Sequence, residues 1–381
     1  MSPTYLEFFA GGGMVRAALT PNWKCLFAND IDPKKGAAYV ANWGDREFKL
    51  ADIYNLKAAD LPARADLAWA SFPCQDLSLA GAGAGLEGER SGAFWGFWQI
   101  INSLKAKGRS PTILVLENVC GTLTSHGGND FVEICRALAS LKYNFGAVVS
   151  DAVHFLPQSR PRLFFLAVHE SHPIPNDVVD SGPSANWHPK ALQNAKSLLG
   201  SHLRRRWIWW KLHAPSLRNS NLTDVIEEKP SDVTWHTPAE TARLLELMST
   251  ANRQKVEAAK RLGKLAVGTV YKRTRKDEKG CKVQRAEVRF DNVAGCLRTP
   301  AGGSSRQLVL IVNGTTMRSR LMSSREAARL MGLPEEYALP TNYNEAYHLV
   351  GDGVAVPVVR HLEESIITPI ILNAHIAVAA E

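Results

Sequence analysis

Through its first 170 residues the chain predicts a doubly wound α/β sheet with a largely parallel core. Two observations carry that expectation. Short apolar runs of strand length alternate with segments of helical periodicity, and a chemically distinctive group follows nearly every run. In an open α/β sheet, the space outside the carboxyl ends of the strands is where ligands bind. Strands are expected at Tyr5–Phe9, Lys24–Ala28, Phe48–Leu50, Leu67–Ser71, Ile113–Leu116, Gly146–Ser150 and Leu163–Val168. Amphipathic helices are expected over Met14–Leu19, Phe94–Lys107 and Asp130–Leu141. Late in the chain, Ser323 and Glu326 have capping-box spacing and open a helix over Arg325–Met331 that Gly332 and Pro334 close.

Composition and charge set the boundaries. The 381 residues are 45% hydrophobic and 22% charged, the profile of a globular chain long enough for more than one compact unit. No apolar run reaches the roughly 18 residues of a membrane span. The nearest approach, Ile366–Ala380, is broken by Pro369, Asn373 and His375. No basic-then-apolar leader precedes the first strand, and the six cysteines show neither metal-type pairing nor dense disulfide spacing. A cytoplasmic protein with reduced thiols and no metal is the expectation. The net charge of +8 is uneven: residues 184–290 hold 22 Lys/Arg against 10 Asp/Glu, and the remainder is net negative. A polyanion, nucleic acid above all, fits that segment; a solvated basic surface is the plain alternative. Pro173, Pro175, Gly182 and Pro183 mark a boundary. The expected domains are 1–170, a basic recognition domain over 171–334, and a segment over 335–381 that returns to the first domain.

The strand ends carry the chemistry. After the first strand stands Phe9-Ala-Gly-Gly-Gly13, where glycines let a ligand approach the backbone. Asp30 and Asp32 follow the second strand at the interval suited to ribose hydroxyls, and Asp52 follows the third, placed for an adenine amino group. In a G-x-G-x-x-G count from Gly11 the third glycine is replaced by Arg16, which counts against a nicotinamide dinucleotide. Tight turns explain such glycine runs as well as ligands do. After the fourth strand, Pro73 fixes the backbone before Cys74, a nucleophile if its pKa is lowered, otherwise a half-buried structural cysteine. Five glycines within Gly81–Gly92 suit a lid over a reactive group. Glu117 leaves the fifth strand as a partly desolvated acid, or as an ordinary strand-end residue. Arg160 and Arg162 precede the last strand as alternate arginine forks for a phosphate, a carboxylate or a carbonyl oxygen, or as surface ion pairs.

Taken together these stretches resemble the DNA (cytosine-5)-methyltransferases of bacterial restriction-modification type. The matching blocks are Phe9–Gly13, Pro73-Cys-Gln75, Glu117-Asn-Val119, Gln158-x-Arg-x-Arg162, Arg325-Glu-Ala-Ala-Arg-Leu-Met-Gly332 and Gly351-Asp-Gly-Val354. The resemblance implies a Rossmann-like, S-adenosylmethionine-dependent methyltransferase domain plus a smaller, basic target-recognition domain. It implies that Cys74 attacks carbon-6 of a flipped-out cytosine and Glu117 engages the ring nitrogen and amino group. By the same resemblance Arg162 would contact the carbonyl oxygen, while Arg160 would support Glu117 and a nearby phosphate. On that resemblance Phe9, Gly11, Gly13, Asp30, Asp52, Pro73, Asp352 and Val354 would line the cofactor site, whose product would be S-adenosylhomocysteine. Gln75, Ser78 and Arg90 are the candidates it implies for contacts with double-stranded DNA near the target. Arg204, Arg205, Arg206, Lys272, Arg273, Arg275 and Lys276 are the candidates for phosphate contacts. A monomer, functionally paired with a restriction endonuclease, is the implied working unit.

Four positions depart from the family pattern. Asp30 replaces a usual Glu, Leu77 a Phe, Asp352 an Asn, and Cys296-Leu297 a Thr-Leu pair. The Asp352 charge bears on cofactor binding or domain docking, and Cys296 is expected to remove a polar backbone contact. Rival readings are an RNA cytosine-5 methyltransferase of the same fold, a non-catalytic DNA-binding homologue and a nicotinamide oxidoreductase.

Overall fold

Seven strands build the main sheet of the computed structural model, which describes residues 2–62, 64–73, 92–215, 217–276, 280–298 and 306–379. They are β1 (Thr4–Phe8), β2 (Lys24–Asp30), β3 (Phe48–Leu50), β4 (Leu67–Ala70), β5 (Ile113–Val119), β6 (Tyr143–Asp151) and β7 (Pro161–His169). Their order is β3-β2-β1-β4-β5-β7-β6. The first five run parallel; β7 is antiparallel to both β5 and β6. The sheet is therefore mixed, with the expected parallel core and one reversed strand. Every expected strand is present, the sixth reaching three residues further toward its start.

Alternation along the strands sorts the two faces. Leu6 and Phe8, Ala68 and Ala70, Leu114 and Leu116, and Leu163 and Phe165 share one apolar cluster with α3 (Ala93–Ala106) and α4 (Asn129–Ser140). The earlier helices are α1 (Met14–Leu19) and α2 (Pro33–Trp43). The second was not expected as a helix; Pro33 at its first turn and Asp32 as its N-cap start it.

By internal contacts the chain forms two compact units. One comprises residues 1–151, 161–215 and 356–381; the other comprises 152–160 and 216–355. Residues 171–215 thus group with the large sheet, whereas the boundary expected at Pro173–Pro183 and the charge excess that follows it placed them in the basic recognition domain. The reason is aromatic packing. Trp187 and Trp210 are fully buried, and Gly146 has no side chain to block them: a Cβ there would lie 2.0 Å from the Ile208 carbonyl oxygen. The segment following α5 (Lys190–Ser197) and α6 (Ser201–Arg204) therefore lies directly on β6, bonded through Phe145 and Ile208.

In the smaller unit, α7 (Leu222–Val225), α8 (Pro238–Glu246) and α9 (Thr250–Arg261) precede a four-stranded antiparallel sheet. After the two-residue pair β8 (Val179–Asp180) and β9 (Trp209–Trp210) of the larger unit, its strands are β10 (Ala266–Lys276), β11 (Lys282–Arg289), β12 (Leu308–Asn313) and β13 (Thr316–Leu321), in the order β11-β10-β12-β13. Leu244, Val256 and Ala259 from the helices pack on Val270, Ala286, Val288 and Leu310. Next comes α10 (Ser324–Leu330), opened by the expected Ser323/Glu326 capping box, then α11 (Tyr343–Asp352). Glu326 is fully buried and paired with the equally buried Arg320. No described helix is long and apolar enough to cross a membrane.

Candidate active site

The carboxyl edge of the main sheet gathers most of the expected groups of the larger unit. Glu117 and Asn118 are the last buried side chains of β5. Because β7 runs backwards, its first residues reach the same edge, and Arg162 stands opposite Val119. This is why an arginine at the start of one strand meets an acid near the end of another. Arg162 Nε lies 3.2 Å from Glu117 Oε1, with both side chains largely covered, and Nη1 donates to the Pro161 carbonyl.

Asn118 couples two strand ends. Its side-chain amide donates to the Phe72 carbonyl at 3.2 Å, while its Oδ1 accepts from Val119 N at 2.8 Å. Phe72 is buried against Phe94, and Pro73 follows it. The backbone entering Cys74 is thereby held from β5. Cys74 itself, with Gln75, Ser78, Arg90 and the glycine-rich stretch before Gly92, lies outside the described residues.

The glycine turn divides its labour. Gly11 has φ +55°, and a side chain there would meet no atom within 4 Å, so the turn is open above its backbone. Gly13 has φ +77°, and a Cβ would lie 2.5 Å from Trp43 Nε1 and 2.9 Å from the Tyr39 ring. Gly13 serves packing against α2; Gly11 leaves room for a ligand. Phe9 also has a positive φ, of 58°, at the start of this turn. Asp30 Oδ2 accepts from Gly11 N at 2.8 Å and Oδ1 from Asp32 N at 2.9 Å, leaving lone pairs on both oxygens. Asp32 caps α2 through Oδ1, which accepts from Lys34 N and Lys35 N. Asp52 caps the short turn at Ile53 by accepting from Tyr54 N. Open backbone at Gly11 beside a fixed carboxylate suits a nucleoside cofactor. Among the described residues there is no group of three or more His, Cys, Asp or Glu side chains arranged for a metal.

Sequence reasoning missed three apolar side chains here. Ile31 is 61% exposed, and Leu50 and Tyr54 are about half exposed, on the adjoining ends of β2 and β3. Leu50 pairs across from Asp30. An exposed isoleucine between two aspartates was the available signal: large apolar groups beside a polar pocket suit the flat face of a base.

Also missed was Glu7, inside β1. It is 1% exposed and neither carboxylate oxygen has a partner among the described residues. Burial pushes its pKa up to about 8, against the opposing pull of Arg16. The folded state thus holds a proton that the unfolded chain releases near 4.5. Stability from this proton is complete below pH 4.5 and is lost as pH rises through about 8. Glu7→Gln is expected to gain on the wild type by roughly 1–3 kcal/mol in relative stability between pH 5 and 8. Denaturant melts across that range check this; a constant difference between the two proteins overturns it.

The remaining expected residues fall elsewhere. In the smaller unit, Arg160 is 2% exposed and donates to the carbonyls of Leu297, Gly351 and Gly353 at 2.9, 2.9 and 2.6 Å. Buried in this way it grips the Gly351–Val354 turn, so a phosphate contact gives way to a positioning role. Asp352 ends α11 in that turn, and Val354 is buried. Gln158, fully buried, donates to the Leu330 carbonyl and accepts from Leu297 N. Cys296 still supplies a contact, its Sγ lying 3.5 Å from Arg160 Nη1.

Arg204–Arg206 stand at the opposite edge of the main sheet from Glu117. Arg206 pairs with Glu170, just beyond β7, at 2.9 Å, and donates to Asn144 at the start of β6. Arg205 and Arg206 line a cavity of about 670 Å³ with Arg136, Asn144 and His202. At about 3.4 Å per residue, the length of β7 puts roughly 25 Å between that edge and Arg162. Lys272, Arg273, Arg275 and Lys276 lie on β10 in the smaller unit.

The sequence profile of the C-5 cytosine-specific DNA methylases matches residues 4–368. Among similar proteins, the Type II methyltransferase M.MspI of Moraxella sp is 25% identical over 377 residues, covering 95% of this chain and 70% of that protein. M.HhaI of Haemophilus parahaemolyticus is 23% identical over 364 residues, covering 95% and 93%. Among solved structures, the S. pombe Dnmt2 methyltransferase superposes with a TM-score of 0.58 at 19% identity, covering 94% of this chain and 96% of that one. Entamoeba histolytica EhMeth gives 0.60 at 13% identity, covering 96% and 97%; these two likenesses concern the fold.

Proposed function

Because the chain belongs to the C-5 cytosine-specific DNA methylase family, we propose that it methylates carbon-5 of cytosine at one short recurring sequence in double-stranded DNA, with Cys74 and Glu117 carrying the chemistry. The observation that supports this best is the edge built by Glu117, Arg162 and Asn118, with Asn118 holding the carbonyl that leads into Pro73 and Cys74. Cytosine accepts a methyl group poorly until a nucleophile adds to its ring. The Cys74 thiolate adds to carbon-6, and Glu117 holds the ring nitrogen and amino group, so electron density moves to carbon-5. After methylation at carbon-5, loss of its proton lets the carbon–sulfur bond break and returns the thiolate. Arg162 orients Glu117 and offers a donor to the cytosine carbonyl oxygen. Carbon-6 is inaccessible inside a duplex, so the base leaves the stack.

S-adenosylmethionine supplies the methyl group when bound. Open backbone at Gly11, the fixed carboxylate of Asp30, and exposed Ile31 and Tyr54 are the residues that would hold it, with Asp52 beside them. In the smaller unit, Arg160 positions the turn that carries Asp352 and Val354. The protein acts as a cytoplasmic monomer that shields its sites from a partner endonuclease, in keeping with relatives named Type II methyltransferases.

The test is single-base mapping of 5-methylcytosine in plasmid DNA from a methylation-free host expressing the chain. Methylcytosine at one recurring sequence is the expected result. Soluble protein with no methylated cytosine would falsify the DNA reading and favour an RNA substrate.

A further inference from the structure

The β10–β11 hairpin separates its cations into two sets. Directly opposed residues of an antiparallel pair share a face. Tyr271 opposes Glu287, Arg273 opposes Arg285, and Arg275 opposes Val283, so these six share one face. Val270, Ala286 and Val288 share the other, are buried in the small unit's core, and are continued outward by Lys272, Lys276 and Lys282.

On the first face two arginines, Arg273 and Arg275, contact one acid, and Arg285 shares the face with them. Arg273 meets Glu287 Oε2 through Nε at 3.3 Å, and its guanidinium lies 5.7 Å from the Tyr271 ring centroid. Arg275 donates from Nε to Glu287 Oε1 at 2.7 Å, and also from Nη2. The Arg273 and Arg275 side chains are 43% and 51% exposed, respectively, so both remain within reach of a partner. An exposed ion pair contributes little to stability, and one carboxylate leaves two of the three positive charges unbalanced. What this arrangement does achieve is orientation. Arg273 is held between Glu287, which it meets at its Nε edge, and the Tyr271 ring, and this sets the plane of a guanidinium that stays partly exposed.

A phosphate asks only for a reachable cation. A planar fork held in place matches the paired acceptors O6 and N7 of guanine, and a two-stranded ribbon fits the roughly 12 Å width of the B-DNA major groove. We propose that this face of the hairpin enters the major groove and that Arg273, oriented by Glu287 and Tyr271, reads a guanine of the recognised sequence. Lys276 on the opposite face serves phosphate. The inference rests on the DNA-methylation reading above and adds to it the residue that selects a base.

The experiment compares wild type with Arg273→Lys, Arg273→Gln, Glu287→Gln and Lys276→Gln. Methylation rates are measured on duplexes carrying each base at every position of the mapped site, and binding is measured against salt concentration. Arg273→Lys keeps the charge and loses the fork. It is expected to lose roughly 5- to 150-fold discrimination at one G·C pair, with an unchanged salt slope. Arg273→Gln relaxes the same pair, and Glu287→Gln relaxes it more weakly. Lys276→Gln weakens all sequences alike and makes the salt slope shallower by about one. Uniform loss across sequences in Arg273→Gln, or unchanged discrimination in Arg273→Lys, overturns the proposal. Wild-type protein that methylates no duplex sinks the underlying function instead, so the two failures are distinguishable. Matching thermal melts for Arg273→Lys and wild type keep a folding defect out of the comparison.

Discussion

Replacing Cys74 by alanine is expected to abolish cytosine methylation, a loss of at least about 1,000-fold, while DNA binding persists. Without addition at carbon-6 there is no electron-rich carbon-5 to methylate, and none of the cysteines with a resolved pKa shift is chemically ready to substitute. Cys120, three residues beyond Glu117, is pushed up to about 11 by burial, against the opposing charge of Arg162. Cys25 is raised to about 11 by burial as well, and Cys135 is raised by burial alone. At neutral pH these groups are thiols, not thiolates. Cys120→Ser should therefore keep at least half of the wild-type rate. Labelled-methyl incorporation and gel-shift assays on the two variants check both statements. Wild-type turnover by the Cys74 variant removes that residue from the mechanism.

For Glu117→Gln we expect kcat to fall by roughly 100- to 10,000-fold with little change in KM for DNA. The amide can still hydrogen-bond, but it cannot deliver a proton to the ring nitrogen as the ring loses aromaticity. Glu117 is 8% exposed, so water is poorly placed to replace it. Its pairing with Arg162 offers a second explanation for any loss, namely a displaced arginine. The kinetic split separates the two: a displaced Arg162 weakens base binding and raises KM. A fall in kcat below about tenfold would leave Glu117 as a strand-end partner for Arg162 and nothing more.

The strands and the residues at their ends were legible because β-structure buried on both faces writes itself as short apolar runs. Leu67–Ala70 and Ile113–Leu116 show no polar interruption, and each is followed by its chemical group. Less legible was anything decided by contact between distant segments. Arg160 and Arg162 look alike in sequence. One is buried on three carbonyls and the other faces Glu117, a difference set by residues more than 100 positions away in the first case. Arg204–Arg206 read as a phosphate patch because charge is visible in sequence, whereas the support of Trp210 on β6 by Gly146 is not. Glu7 was passed over because a lone acid in an apolar strand carries no motif.

The recognition role proposed for the smaller unit, taken with the division of the chain, has a consequence for engineering specificity. The smaller unit is not one continuous insert: residues 152–160 belong to it, although they lie between β6 and β7. Ser159 N donates to the Ala294 carbonyl and Ala294 N donates to the Pro157 carbonyl across that splice, and Gln158 and Arg160 fasten it to Leu297. A transplant of residues 216–355 alone would leave behind the strip of host chain against which the graft must fold. Chimeras that trade recognition between relatives should therefore carry residues 152–160 together with the segment they replace, or keep Pro157–Arg160 and Ala294–Leu297 from the same parent.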